Sequence, residues 1–193
     1  MPIPQIKHIT LTTVHGTILS GVMIPVSHKL SILLDDSTND LKVKHDTNRS
    51  NRVKLERIRF AREVTDDADL IKAYTESRAA SELRRNNGGT EVTSERIAKV
   101  AEQAKDRYTK GKTNDQLITE LAEMYVDVLE LKDIMDNTLV TTLWYCLRKS
   151  DNDKERIFAT VDELMDSIST TQLYDVYTKN VTEAALTEDE IKK

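Results

Sequence analysis

The chain has 193 residues, with 28 Lys and Arg against 33 Asp and Glu and a formal net charge of -5. That sign argues against a general nucleic-acid binder, which needs a basic surface to release counterions from phosphates. With 5 Gly, 3 Pro and a single cysteine, collagen-like, turn-dense all-β and disulfide-stapled folds are excluded, and no run approaches the roughly 18 apolar residues of a membrane span.

The first 45 residues suit strands. Ile6 to Val14 and Thr17 to Ile24 are rich in Ile, Leu, Thr and Val, residues that fit a pleated surface. Ile9 and Leu11 fall on one face, and His15-Gly16 between the runs is a turn, because glycine accepts positive φ without steric cost. Leu30 to Leu34 reads as a third strand. Leu41-Lys42-Val43-Lys44-His45 alternates like a fourth, at an edge that its lysines protect. Asp35 to Asp40 between them is made of turn formers.

From about Asn51 the period changes. Val53, Leu55, Ile58, Phe60, Ala61 and Val64 have helical spacing within a strongly charged segment. Thr65 is placed to cap a second helix, with Asp66, Asp67 and Asp69 at its positive end. Asn86-Asn87-Gly88-Gly89 is the clearest break in the chain. Ser94 to Lys110 is amphipathic through Ile97, Val100, Ala101, Ala104 and Tyr108, with Gly111 as its terminator.

Thr113-Asn114-Asp115-Gln116 has the form of a capping box. It opens the most regular stripe of the chain: Leu117, Ile118, Leu121, Met124, Tyr125, Val128, Leu131 and Met135. Leu139, Val140, Leu143, Trp144 and Leu147 continue it. Further start signals stand at Thr160 to Glu163 and at Ser169 to Gln172. The expected fold class is therefore α+β, mainly α, with a small N-terminal antiparallel sheet followed by a multi-helix array. The expected divisions are a strand-rich part over 1–46, a charged helical middle over 47–112 with a loop at 86–92, a helical domain over 113–181 and a polar tail over 182–193.

Motifs that would carry chemistry fail on inspection. Gly111-Lys112-Thr113 resembles the end of a phosphate loop, but Asp106 stands where that loop needs glycine and the preceding segment reads as helix. His8, His15, His28 and His45 show no helical metal-pair spacing, and one cysteine excludes a Cys-rich zinc site. Cys146 has no histidine near it in sequence and lies in an apolar helix, which reads as a buried structural thiol. Asp151-Asn152-Asp153 opens like a calcium loop, but Arg156 replaces the required glycine and Asp162 the closing glutamate. The basic block from Lys42 to Arg62 has only Phe60 as an aromatic and reads as a charged helix face rather than a stacking platform. Catalytic, cofactor and metal residues are therefore expected to be none, and the chain is expected not to be an enzyme. Met1-Pro2-Ile3-Pro4-Gln5 shows no secretory pattern.

One resemblance stands beside these readings. Leu143-Trp144-Tyr145-Cys146-Leu147-Arg148-Lys149-Ser150-Asp151, then Glu155-Arg156-Ile157-Phe158, Val161-Asp162-Glu163-Leu164 and Leu173-Tyr174-Asp175-Val176-Tyr177 resemble the helical domain of tail assembly chaperones of long-tailed bacteriophages. The resemblance covers some 40–60 residues by the order of helix, charged stretch, capped helix and tyrosine-bearing helix. It implies a binding protein that holds the tape measure protein soluble in the host cytoplasm while the tail tube assembles, with the tail tube protein as a second partner and self-association left open. No nucleic-acid or membrane partner is implied. The residues this assigns to the partner are Leu143, Trp144, Leu147, Phe158, Leu164 and Tyr177. The alternative is a structural virion subunit (a tail, connector or adaptor component) acting through protein–protein contacts.

Overall fold

The computed structural model describes residues 7–25, 27–86 and 92–182. The elements run β1 (Lys7–Thr12), β2 (Ile18–Met23), α1 (His28–Glu63), α2 (Asp67–Asn86), α3 (Ser94–Thr109), α4 (Asn114–Cys146), β3 (Leu147–Lys149), α5 (Val161–Ser167) and α6 (Thr170–Tyr177), followed by a π-helical turn over Thr178–Thr182. The fold is α+β and mainly α, as the composition and periodicity require. No helix among the described residues is long and apolar enough to cross a membrane. The chain forms two compact units, one of residues 1–42 with 133–193 and one of residues 43–132. The divisions fall inside α1 and α4, not at the expected 46 and 112, because each of these long helices contributes side chains to both units.

In the first unit, β1 and β2 form an antiparallel hairpin with Ile9 opposite Gly21 and Leu11 opposite Leu19. Gly16 turns the hairpin at φ +82°, and the Thr13 amide donates to the Thr17 carbonyl at 2.8 Å. The third strand is not one of the expected segments. β3 follows α4 directly and pairs with β2, placing Val22 opposite Arg148 and Met23 opposite Leu147. The order is β1-β2-β3. Gly21 is required by close approach: a Cβ there would stand 2.9 Å from the Arg148 carbonyl oxygen and 2.3 Å from Ile157 Cδ1. At the outer edge, the Gln172 carboxamide, oriented by its partners, donates to the Thr12 carbonyl at 2.7 Å and accepts from the Thr12 amide at 2.9 Å. It thus mimics a neighbouring strand.

Leu30 to Leu34 and Leu41 to His45 are helix, not strand. Their alternation misleads because Leu30, Leu34, Leu41 and His45 also recur at steps of four and seven. Leu30 is fully buried and Leu34 packs on the same core. The turn formers between them sit on helix turns, where each costs only a few tenths of a kcal/mol, and Asn137 of α4 donates to Ser37 at 2.7 Å. The core joins Ile9 and Leu11 to Leu139, Val140 and Leu143 of α4, and to Leu164 and Leu173 of the two short helices. Cys146 is buried within it, as expected of a structural thiol, and burial pushes its pKa up to about 11 against the opposing pull of Arg148.

Local start signals match the helices. Thr160 accepts from the Glu163 amide at 3.1 Å while Glu163 reaches back to the Ala159 amide at 2.6 Å. Ser169 accepts from the Gln172 amide at 3.4 Å.

The described elements of the second unit are all helices. Its core holds Leu70, Tyr74 and Ala79 of α2, Ala101, Ala104 and Tyr108 of α3, and Leu117 and Leu121 of α4. Alanines at the contact let the α2 and α3 backbones approach closely. Asp66, not Thr65, supplies the carboxylate at the start of α2, accepting from the Asp69 amide at 2.9 Å. Thr65 instead donates to Asp69. Gly111 at φ +74° ends the turn after α3. The box at Thr113 is reciprocal: its amide donates to Gln116 Oε1 at 2.8 Å, and its hydroxyl accepts from the Gln116 amide at 3.4 Å. Most of the expected loop at 86–92 and of the tail at 182–193 lies outside the described residues.

Candidate functional site

The stripe on α4 is covered along only part of its length within the second unit. Leu117 and Leu121 are buried, and Ile118, Met124 and Tyr125 are half-buried. Val128 and Leu131, next on the same spacing, are 46% and 59% exposed. Burying a residue of this size contributes about 1.5–3 kcal/mol, so leaving two in water on a regular helical face is a feature that wants a cause.

These two side chains line a groove of about 990 Å³ between α2 and α4, closed at one side by Arg59 and Phe60 of α1. Met124, Tyr125 and Phe60 form its apolar floor. Along α2 the wall is Ala73, Ser77, Ala80 and Ser81. These small side chains recur at steps of three and four and allow close approach of another backbone. Arg84 and Arg85, in the last turn of α2, make one end of the groove basic.

The floor is held from below. The Phe60 and Tyr125 rings meet edge to face at 5.8 Å. Arg59 lies over both, 4.7 Å from the Phe60 centroid and 4.3 Å from that of Tyr125. Its guanidinium is also 3.0 Å from Glu56. The hydrogen bond with Tyr125, against the cost of burial, raises its already high pKa. Arg49 of α1 forks to Asp127 at 2.5 Å and Glu130 at 2.7 Å on α4. The basic block of the sequence is thus largely a helix face that pairs with its own chain.

A second polar cluster pins the wall. Tyr74 has no exposed surface and donates to Glu120 at 2.6 Å, while Lys112 donates to both at 2.5 Å. Burial works to raise the Glu120 pKa, but the hydrogen bonds from Lys112 and Tyr74 outweigh it and hold the carboxyl below its ordinary value. Burial, then the bond to Glu120, raises the Tyr74 pKa. Tyr108, Glu82 and Arg107 repeat the pattern at α3, with distances of 2.8 Å from the tyrosine and 3.0 Å from the arginine to Glu82.

The six residues assigned to a partner from the sequence lie elsewhere. Leu143, Leu147, Phe158 and Leu164 are buried in the core of the first unit. They are covered by the hairpin and the short helices of this same chain. Trp144 and Tyr177 pack against that core half-buried. In this conformation four of the six therefore present little or no surface. A helical stripe states which residues are apolar but not what covers them. The signal for the groove was present in Val128 and Leu131 as part of the regular stripe, but nothing local marks where its cover ends.

Among the described residues no group of three or more His, Cys, Asp or Glu is placed to hold a metal ion. No family model, no curated protein and no solved structure matches the chain.

Proposed function

We propose that the chain acts by binding, without catalysis, as a tail assembly chaperone that holds an amphipathic helix of the tape measure protein and keeps it soluble during assembly. The observation that carries this reading is the uncovered end of the α4 stripe, Val128 and Leu131, lining a groove of about 990 Å³ whose opposite wall is made of small residues. Helix-in-groove recognition needs an apolar strip, room for a second backbone and a charged rim to set register, and the groove has each of these. The resemblance of the segment from Leu143 to Tyr177 to the phage chaperones supplies the identity of the helix.

Co-expression with a long helical tape measure protein from the same genome tests the reading. The expected result is soluble tape measure protein that co-purifies with the wild type. Val128→Glu with Leu131→Glu should abolish both, while the circular dichroism spectrum stays unchanged. Failure of the wild type to solubilise or retain the partner, or equal retention by the double variant, overturns it. Finding the chain at stoichiometric levels in purified particles would favour the structural subunit instead.

A further inference from the structure

The first unit carries a second feature, independent of the groove. Arg148 lies on β3 and forms an isolated antiparallel bridge with Arg156, which sets two arginines opposite each other. Like charges in that position repel. Arg148 is only 7% exposed. Its guanidinium reaches only the Leu147 carbonyl, at 3.3 Å, and the face of Tyr145 at 5.3 Å. Arg156 lies 3.8 Å over the Trp144 ring, and its Nε is buried without an acceptor. Among the described residues no carboxylate pairs with either arginine. Glu155, between them and closest in sequence, is turned to Lys149 at 2.7 Å and Asn152 at 3.0 Å.

Both arginines line a recess of about 380 Å³ together with Lys154, Glu155 and Ala159. Burial and then the Arg156 charge push the Arg148 pKa down, against smaller opposing contributions from Cys146 and Tyr145. Buried cations without a counter-ion are costly, and arginine forks held flat against aromatic rings present their N–H groups in fixed directions. Bidentate guanidinium contact recognises oxyanions, phosphate and carboxylate alike, and the two cationic forks with Lys154 suit the more highly charged phosphate.

We propose that Arg148 and Arg156, with Lys154 at the rim, form an anion site for a phosphate-type oxyanion. Its charge offsets the arginine pair and ties β3 to the 150–160 loop.

Trp144 is the only tryptophan, and it touches the arginine that would bind, so its fluorescence reports occupancy directly. Titration of the full chain with inorganic phosphate should give a saturable change in Trp144 emission and a rise in the unfolding midpoint. Sodium chloride at matched ionic strength should give neither. Arg156→Gln should weaken binding by about tenfold or more, and Lys154→Ala by a smaller factor. Both changes lie at half-buried or exposed positions, so they test the site even if Arg148→Gln fails to fold, and Arg62→Gln on α1 serves as the control. The assignment is overturned if phosphate produces no saturable change, if chloride reproduces the change, or if Arg156→Gln binds as the wild type does. Acetate binding as tightly as phosphate overturns the preference for phosphate and points to a carboxylate ligand. Neither result bears on the groove over 43–132.

Discussion

The two units are stabilised in different ways. The first fills its core with large aliphatic side chains from distant parts of the chain: Leu11 and Met23 from the hairpin, Leu143 from α4, Leu164 and Leu173 from the short helices. The second has alanines at the contact between α2 and α3, and it adds buried or half-buried tyrosines clamped by Glu and a cation. Where little apolar volume is buried, directed polar contacts hold the helices in register. The same thin packing leaves part of α4 uncovered. The contrast teaches that the well-filled region is the scaffold, and that the lightly filled region has surface to offer.

The sharpest way to break the comparison is to open a hole in the first core. Leu143 has no exposed surface, so Leu143→Ala should destabilise by about 2–5 kcal/mol, read as a lower urea midpoint. Next in size is Gly21→Ala. The added methyl meets the Arg148 carbonyl oxygen and Ile157, and parting β2 from β3 should cost about 1–3 kcal/mol. An unchanged midpoint would mean that the β2–β3 pairing contributes little.

In the second unit, Tyr74→Phe removes a hydroxyl bonded to both Glu120 and Lys112 and should cost about 1 kcal/mol. The same cluster makes a pH prediction. The Glu120 carboxyl titrates below its ordinary value in the folded chain, so the unfolded chain takes up its proton first as pH falls. Its contribution is therefore present above the ordinary glutamate value of about 4.3 and is lost as pH drops through the depressed folded value. Glu120→Gln should flatten that part of the acid unfolding profile relative to wild type, with the change kept small by solvent screening. The smallest expected effect sharpens the comparison from the other side. Val128→Glu and Leu131→Glu should shift stability by no more than about 0.5 kcal/mol each, measured by thermal unfolding, because neither side chain is committed to a core. A loss as large as that at Leu143 would show that these residues are structural after all.

Much of the fold was legible locally. The hairpin turn at Gly16, the reciprocal box at Thr113 and Gln116, the caps at Thr160 and Ser169 and the stop at Gly111 all depend on a few adjacent residues and their intrinsic preferences. They appear in the structure at the expected positions or one residue away. The candidate groove was only half legible: the α4 stripe was plain, but the partner residues were placed on its far end, from Leu143 onward, where the chain covers itself.

The sequence alone settled the class, the starts of the helices after α1 and the apolar faces, because these follow from composition, period and capping chemistry within a turn or two. Tertiary structure alone decided that Leu30 to His45 is helix, that Leu147 to Lys149 closes the sheet, and that the stripe is buried at Leu143 but bare at Leu131. Each of these depends on what residues about a hundred positions away bring to the same place, and no local pattern encodes which neighbour arrives.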